Sequence, residues 1–265
     1  MSPLVSLNGV ETDEPSIGAL TSAVLYGKGV FTTISIRHGK PFLWEKHWRR
    51  LTVSAERLSI DLSTHTENST LEGLEKTVSS CGIDEGRARV TFLDGASSSI
   101  WGSRNEKRNT DLLITVAESR SQPEYSKITL SPFRLNSTSP LAGVKSCNYL
   151  EHLKSYEEAQ ALGFDEAIRL NEKGHITSAC MANVFWERDG KLYTPRLSTG
   201  CLAGTTREFV MENFECEEVE VGVEVLGSAE RIFLTSAGLG VVPVAEFNGR
   251  SLDASEHRIL KLLPS

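Results

Sequence analysis

Short runs of alternating apolar and polar residues recur along the chain, separated by longer stretches in which apolar residues return every three or four positions. The first pattern suits half-buried strands and the second amphipathic helices. Residues 34–37 and 40–43 flank His38-Gly39, a pair suited to a tight hairpin turn. Trp44, Trp48, Leu51, Ala55 and Leu58 then fall at spacings of four, three, four and three, which predicts a helix over 44–59. Its other faces carry Arg49, Arg50 and Arg57. A second helix is expected at 69–80, then strands at 88–93 and 111–117 across a Ser- and Gly-rich loop.

Extended segments are expected next at 128–130 and 133–135, with a helix at 148–162 stopped by Gly163. Short turn-bounded strands at 167–170, 183–187 and 192–194 read as a meander. A helix at 206–213, a strand at 231–235 and a closing helix at 256–262 complete the pattern. With no internal repeat, this alternation points to a mixed α/β (α+β) architecture. The stretch ESRSQPEYSK, 118–127, combines charge, Ser and Pro between two strand-like runs and reads as a linker. It leaves an N-terminal domain over 1–117 and a C-terminal domain over 128–265.

Composition changes the picture by exclusion. The 265 residues hold 28 Lys and Arg against 35 Asp and Glu, a formal charge of −7, which argues against a nonspecific nucleic-acid binder. A small anionic ligand is still allowed, because a local site can be positive on an acidic protein. Cys81, Cys147, Cys180, Cys201 and Cys216 are scattered without a C-x-x-C pair, so neither metal spacing nor a disulfide framework is indicated. No apolar run approaches the ~18 residues of a membrane span, and the N-terminal segment lacks the pattern of a leader. A soluble, cytoplasmic protein with reduced thiols is expected.

Candidate chemistry centres on Lys145, in GVKSCNYL (Gly143 to Leu150), between an extended segment and a helix start. Burial and nearby positive charge would lower the pKa of such a lysine and make it a Schiff-base amine. Two Gly-containing turns accompany it. Gly204, Thr205 and Thr206 precede a helix, where backbone N–H groups and the dipole favour a phosphate. LTSAGLGVVPV (Leu234 to Val244) supplies a second donor-rich turn after a strand.

The ordered set YGKGVFTT, H-x-x-R-L, VKSCNYL, GFDEAIRLNEKGHIT, ANVFW, YTPRLSTGCLAGTTR and TSAGLGVVPV resembles the class IV pyridoxal-phosphate aminotransferases, of fold type IV. That family includes branched-chain and D-amino-acid aminotransferases and aminodeoxychorismate lyases. The resemblance implies two α/β domains of the D-amino-acid aminotransferase-like type, pyridoxal 5'-phosphate in the cleft between them, an amino-acid-like substrate and a homodimer. It implies that Lys145 forms the Schiff base and shuttles a proton, and that Arg50, Gly204, Thr205, Thr206, Ser236 and Ala237 hold the phosphate.

The chain departs from the family's pattern at several positions. Ser178 stands where the family carries a glutamate that pairs with the cofactor's ring nitrogen, and a hydroxyl cannot favour the protonated nitrogen by a full charge. Three readings follow: elimination chemistry on a less protonated ring, replacement by another acid, or a noncatalytic homologue. Asp94 replaces an arginine that commonly recognises a substrate carboxylate, a role that Arg104 or Lys107 in the Ser-rich loop could take over. Lys28 replaces an acidic residue and reads as surface charge. Phe31-Thr32-Thr33, with ANVFW and TPRL, is similar to the lyase branch, with Phe31, Thr33 and Asp94 as substrate-side candidates, whereas the aminotransferases usually carry Glu at the position of Thr32. An amino-acid aminotransferase is the alternative.

Overall fold

The computed structural model describes residues 3–95, 109–119 and 121–263. The chain forms two compact units, one comprising Met1–Arg120 with Val144–Asn148, the other Ser121–Gly143 with Tyr149–Ser265. The basic loop residues Arg104 and Lys107 lie outside the described residues.

In the first unit the strands are β1 (Leu4–Leu7), β2 (Val10–Glu11), β3 (Gly29–Arg37), β4 (Lys40–Pro41), β5 (Gly86–Asp94) and β6 (Thr110–Glu118). They form one antiparallel sheet in the order β2-β1-β6-β5-β3-β4. Three helices accompany it: α1 (Ser22–Tyr26), α2 (Trp44–Arg57) and α3 (Glu67–Cys81). The period-two pattern decides what each sheet face does. Val30, Ile34, Ile36, Ala88, Val90 and Phe92 bury together with Leu51 and Ala55 of α2 and Leu74 and Val78 of α3. The opposite face of β3 and β5 carries Phe31, Thr33, Arg89 and Thr91, since Thr33 pairs with Arg89 and Phe31 with Thr91.

The β3–β4 hairpin turns on His38 (φ 49°) and Gly39 (φ 71°), and its two left-handed residues match the right-handed twist of the strands. Thr66 caps α3, accepting from the Ser69 amide while the Ser69 side chain takes the Thr66 N–H. A Cβ at Gly29 would lie 2.9 Å from Cys147 Sγ and Leu93 Cδ2, so glycine is what lets residues 145–147 lie against the start of β3. There Phe31 N donates to Lys145 O at 3.0 Å and Cys147 N donates to Gly29 O at 2.8 Å. This pairing corrects one expectation: Lys145 belongs with the N-terminal unit, not with the C-terminal half of the sequence in which it falls.

The second unit contains β7 (Ser126–Leu130), β8 (Glu166–Leu170), β9 (Ile176–Ala179), β10 (Asn183–Arg188), β11 (Lys191–Pro195), β12 (Cys216–Val219), β13 (Arg231–Ser236), β14 (Gly240–Phe247) and β15 (Arg250–Ser251). Its helices are α4 (Leu150–Ala161), α5 (Thr205–Asn213) and α6 (Glu224–Gly227). The sheet is mixed, ordered β12-β11-β10-β13-β14-β7-β8-β9, with β15 paired to β14. Ile128, Ile168, Ile176, Val184, Trp186, Ile232, Leu234 and Val244 form its core. On the other side of β8, Ala167 packs with Ala159 of α4 and with Cys180.

Two local expectations fail. Residues 133–135 are not a strand: Ser131 Oγ takes the Phe133 N–H and turns the chain around Pro132, leaving Leu135 a single bridge to Asn171. The closing segment is a short 3₁₀ helix, Arg258–Leu262, entered from an extended His257 whose ring accepts from Ile259 N.

Candidate active site

In the first unit, polar side chains gather from β3, β5, α2 and the lysine segment. Helix α2 sets His47 and Arg50 three residues apart, on one side of the helix. Thr32, fully buried on the core face of β3, meets both: its Oγ1 lies 2.6 Å from His47 Nδ1 and accepts from Arg50 Nη2 at 2.7 Å. Because the guanidinium only donates, the single hydroxyl hydrogen is directed to His47 Nδ1, and a neutral ring then carries its hydrogen on Nε2. Burial, with Arg50 and Lys145 nearby, pushes the His47 pKa well down, which matches that tautomer.

Lys145 presents its ammonium nitrogen 4.6 Å from the centroid of the Phe31 ring, and the guanidinium carbon of Arg89 lies 3.6 Å from the same centroid. Phe31 is thus flanked by two cationic groups. Desolvation, followed by the positive charges of Arg50 and Arg89, lowers the Lys145 pKa from 10.5 to about 7. A large fraction of this lysine is then a free amine near neutrality, the form that attacks a carbonyl. Arg89 also donates from Nε to Thr91 Oγ1 at 3.2 Å and hydrogen-bonds the Cys147 side chain, whose thiol is nonetheless pushed up by burial.

The structure therefore brings Lys145, Arg50 and Phe31 together, with Thr33 on the same strand face as Phe31. Asp94 is buried at the end of β5 and holds Lys28 Nζ at 2.6 Å. Lys28 is accordingly not a plain surface charge, because it neutralises a carboxylate desolvated by the strand ends.

In the second unit Gly204 is the N-cap of α5, and Thr205 and Thr206 begin the helix with both side chains buried. A Cβ at Gly204 would overlap Asn183 Oδ1, while Asn183 Nδ2 donates to Leu202 O at 2.9 Å, so the turn is built around a glycine. Asn183 pairs with Thr235, the neighbour of Ser236. Ser236 Oγ accepts from Leu239 N at 3.2 Å and closes the turn that includes Ala237. Ser178 is buried on β9, directly opposite Arg169 of β8.

Residues 29–247 match the family model for amino-transferase class IV. The chain belongs to the class IV aminotransferase family. An aminodeoxychorismate lyase from Bacillus subtilis (strain 168) is 29% identical over 98% of this chain and 93% of its own length. One from Vibrio harveyi is 27% identical over 88% and 86%. The branched-chain aminotransferase of Thermoproteus uzoniensis, solved with norvaline, superposes with a TM-score of 0.89 at 25% identity, covering 98% of this chain and 91% of that one. The fold is that of the fold type IV enzymes, and class IV aminotransferases work with pyridoxal 5'-phosphate.

The donors present fit that group. In the first unit an amine at about 7 is of the kind that suits its aldehyde and an arginine of the kind that suits its phosphate, and in the second unit the N-terminus of α5 offers donors of the same kind. Sequence reasoning missed Arg89 and took Thr32 only as a mark of subfamily. Arg89 stands at the right parity on β5 beside Thr91; that was the available signal.

Proposed function

We propose that the chain is an aminodeoxychorismate lyase, releasing pyruvate from 4-amino-4-deoxychorismate and leaving 4-aminobenzoate. The observation that carries this reading is the face of β3 and β5 on which Phe31 is flanked by the Lys145 amine and by Arg89, with Thr33 on the same face. That face offers fixed positive charge to a substrate with two carboxylates. The lyase relative aligned over nearly the whole chain supports the same reading.

In this proposal Lys145 holds the cofactor's aldehyde, and Arg50, Thr205, Thr206 and the Ser236-Ala237 turn hold its phosphate. When bound, pyridoxal phosphate withdraws electrons and makes the C–H beside the substrate amine acidic. Lys145 Nζ would accept that proton, since its low pKa keeps it a base at neutral pH. Breaking the substrate's ring–oxygen bond would leave the electron pair on the enolpyruvyl oxygen, and the proton held by Lys145 would pass to its methylene carbon to give pyruvate. Thr32 fixes the Arg50 guanidinium through its hydroxyl, so the phosphate donor is oriented before binding. Arg89 takes a substrate carboxylate, the role that Asp94, occupied by Lys28, does not fill.

Single-turnover assays with cofactor-loaded protein test the reading. Pyruvate release from 4-amino-4-deoxychorismate is expected, and Lys145→Ala should remove both the release and the absorption band of the lysine-bound cofactor. Conversion of the cofactor to its amine form by a branched-chain or D-amino acid, without pyruvate release, would instead make the chain an aminotransferase. No bound cofactor at all would leave only a noncatalytic homologue.

A further inference from the structure

The core between β3 and α2 is built mainly of apolar side chains. Val30, Ile34 and Ile36 of β3 bury with Trp44, Leu51 and Ala55 of α2, and Thr32 and His47 stand inside those two stripes at 0% and 1% exposure. Apolar residues would fill the same space without taking a hydroxyl and an imidazole out of water, so the pair calls for a reason beyond packing. Its bonds supply one. Thr32 Oγ1 gives its only hydrogen to His47 Nδ1 at 2.6 Å and takes an Arg50 Nη2 hydrogen at 2.7 Å. His47 and Arg50 lie one helical turn apart, and the hydroxyl spans them from the neighbouring strand. The half-buried Arg50 is thereby drawn back against the core.

The lysine segment is paired to the same strand. Phe31, the residue before Thr32, donates its N–H to Lys145 O at 3.0 Å, so what is held at Thr32 is held near Lys145. Around the lysine, α2 presents Arg50 and His47, β5 presents Arg89, and its own segment presents Cys147. The charges that shift Lys145 and His47 are all positive, and burial keeps the Cys147 thiol protonated. From β3 come Phe31 and Thr32, which carry no charge. Asp94, the carboxylate that ends β5, is tied to Lys28.

We propose that Thr32 and His47 are positioning residues: together they seat the Arg50 guanidinium on a neutral acceptor beside Lys145, and so keep that lysine in its amine form. The inference rests on Lys145 being the amine that holds the cofactor, and deepens that reading. A carboxylate in place of the hydroxyl would hold Arg50 as firmly. It would also offset the arginine's charge, favour a protonated His47 and let Lys145 become an ammonium. The hydroxyl keeps orientation and field together. By taking the hydroxyl hydrogen on Nδ1, His47 turns the oxygen's lone pairs toward Arg50 and adds no charge of its own.

The test is competitive labelling of the full-length, cofactor-free protein with trace acetic anhydride across the neutral and alkaline range, read by mass spectrometry of the Lys145 peptide. The wild-type midpoint should fall at about 7. Thr32→Asp should raise it by about one pH unit or more, which cuts labelling at neutral pH roughly fivefold. Arg50→Met, at a half-buried site, should raise it as well. Thr32→Ser, which keeps the hydroxyl, should hold the wild-type midpoint. Nitrogen-15 NMR of histidine-labelled protein should find wild-type His47 neutral at pH 7, with its hydrogen on Nε2; a hydrogen on Nδ1 overturns the proposal without any variant. An unmoved midpoint in Arg50→Met or in folded Thr32→Asp does the same, and so does a Thr32→Ser midpoint that follows Thr32→Asp. Pyridoxal phosphate added beforehand should shield Lys145 from the reagent. Absence of shielding would sink the cofactor reading and leave the midpoints standing, whereas shielding with unmoved midpoints sinks only the role of Thr32 and His47.

Discussion

Lys145 shows how far one residue's chemistry depends on neighbours that the sequence holds far away. Its pKa of about 7 comes from desolvation, Arg50 and Arg89. Below that value the side chain is an ammonium and above it an amine. The rate of its reaction with pyridoxal phosphate should therefore climb as pH passes through about 7 and level off above. Arg89→Met removes one nearby cation, makes the ammonium less costly and so raises the pKa; the midpoint should move up and the rate at pH 7 should drop several-fold. Stopped-flow absorbance reads both, and a downward shift would contradict the assignment. Folding is coupled to the same group: between about 7 and 10.5 the unfolded chain binds more protons than the folded one, so stability from this lysine rises with pH across that window. The lysine was legible from its motif and Arg50 from H-x-x-R-L. Arg89 was not, because its importance comes from stacking on Phe31 across a strand pair.

At the scale of elements, periodicity located the main helices and strands because one face of each must be buried. The 44–59 expectation and helix α2 agree to within two residues at its end, and α4 stops at Leu162, just before Gly163 with φ 83°. Turn chemistry decided the segments that periodicity could not, such as 131–135, where a serine hydroxyl replaced a strand ladder. The start of α5 yields a prediction of the same kind. Gly204→Ala drives a methyl into Asn183 and should cost about 1–3 kcal/mol in urea unfolding. In Asn183→Ala the obstructing amide is gone, so adding Gly204→Ala to it should cost much less; full additivity of the two changes would show that they do not meet.

For the whole molecule, the charge of −7 and the local cluster of cations belong together: an acidic chain concentrates Arg50, Arg89 and Lys145 on one site of its first unit. Binding of an anionic cofactor to the folded form alone should stabilise the protein by mass action, by about 2.7 kcal/mol at roughly 100 times the dissociation constant. Scanning calorimetry with and without pyridoxal phosphate should show a rise in melting temperature for the wild type and a smaller one for Lys145→Ala. Equal shifts for the two proteins would mean that the lysine contributes nothing to holding the cofactor.

By itself the sequence determined the mixed α/β class, the main elements, the family resemblance and the positions of the lysine and of the two Gly-containing turns, since all of these are written in local periodicity and short spacings. Tertiary structure alone decided that the lysine segment pairs with β3, that Asp94 is tied to Lys28, and that Arg169 stands opposite Ser178. Each of those depends on strand register and close backbone approach between distant residues. No spacing along the chain encodes which side chains a register will set face to face.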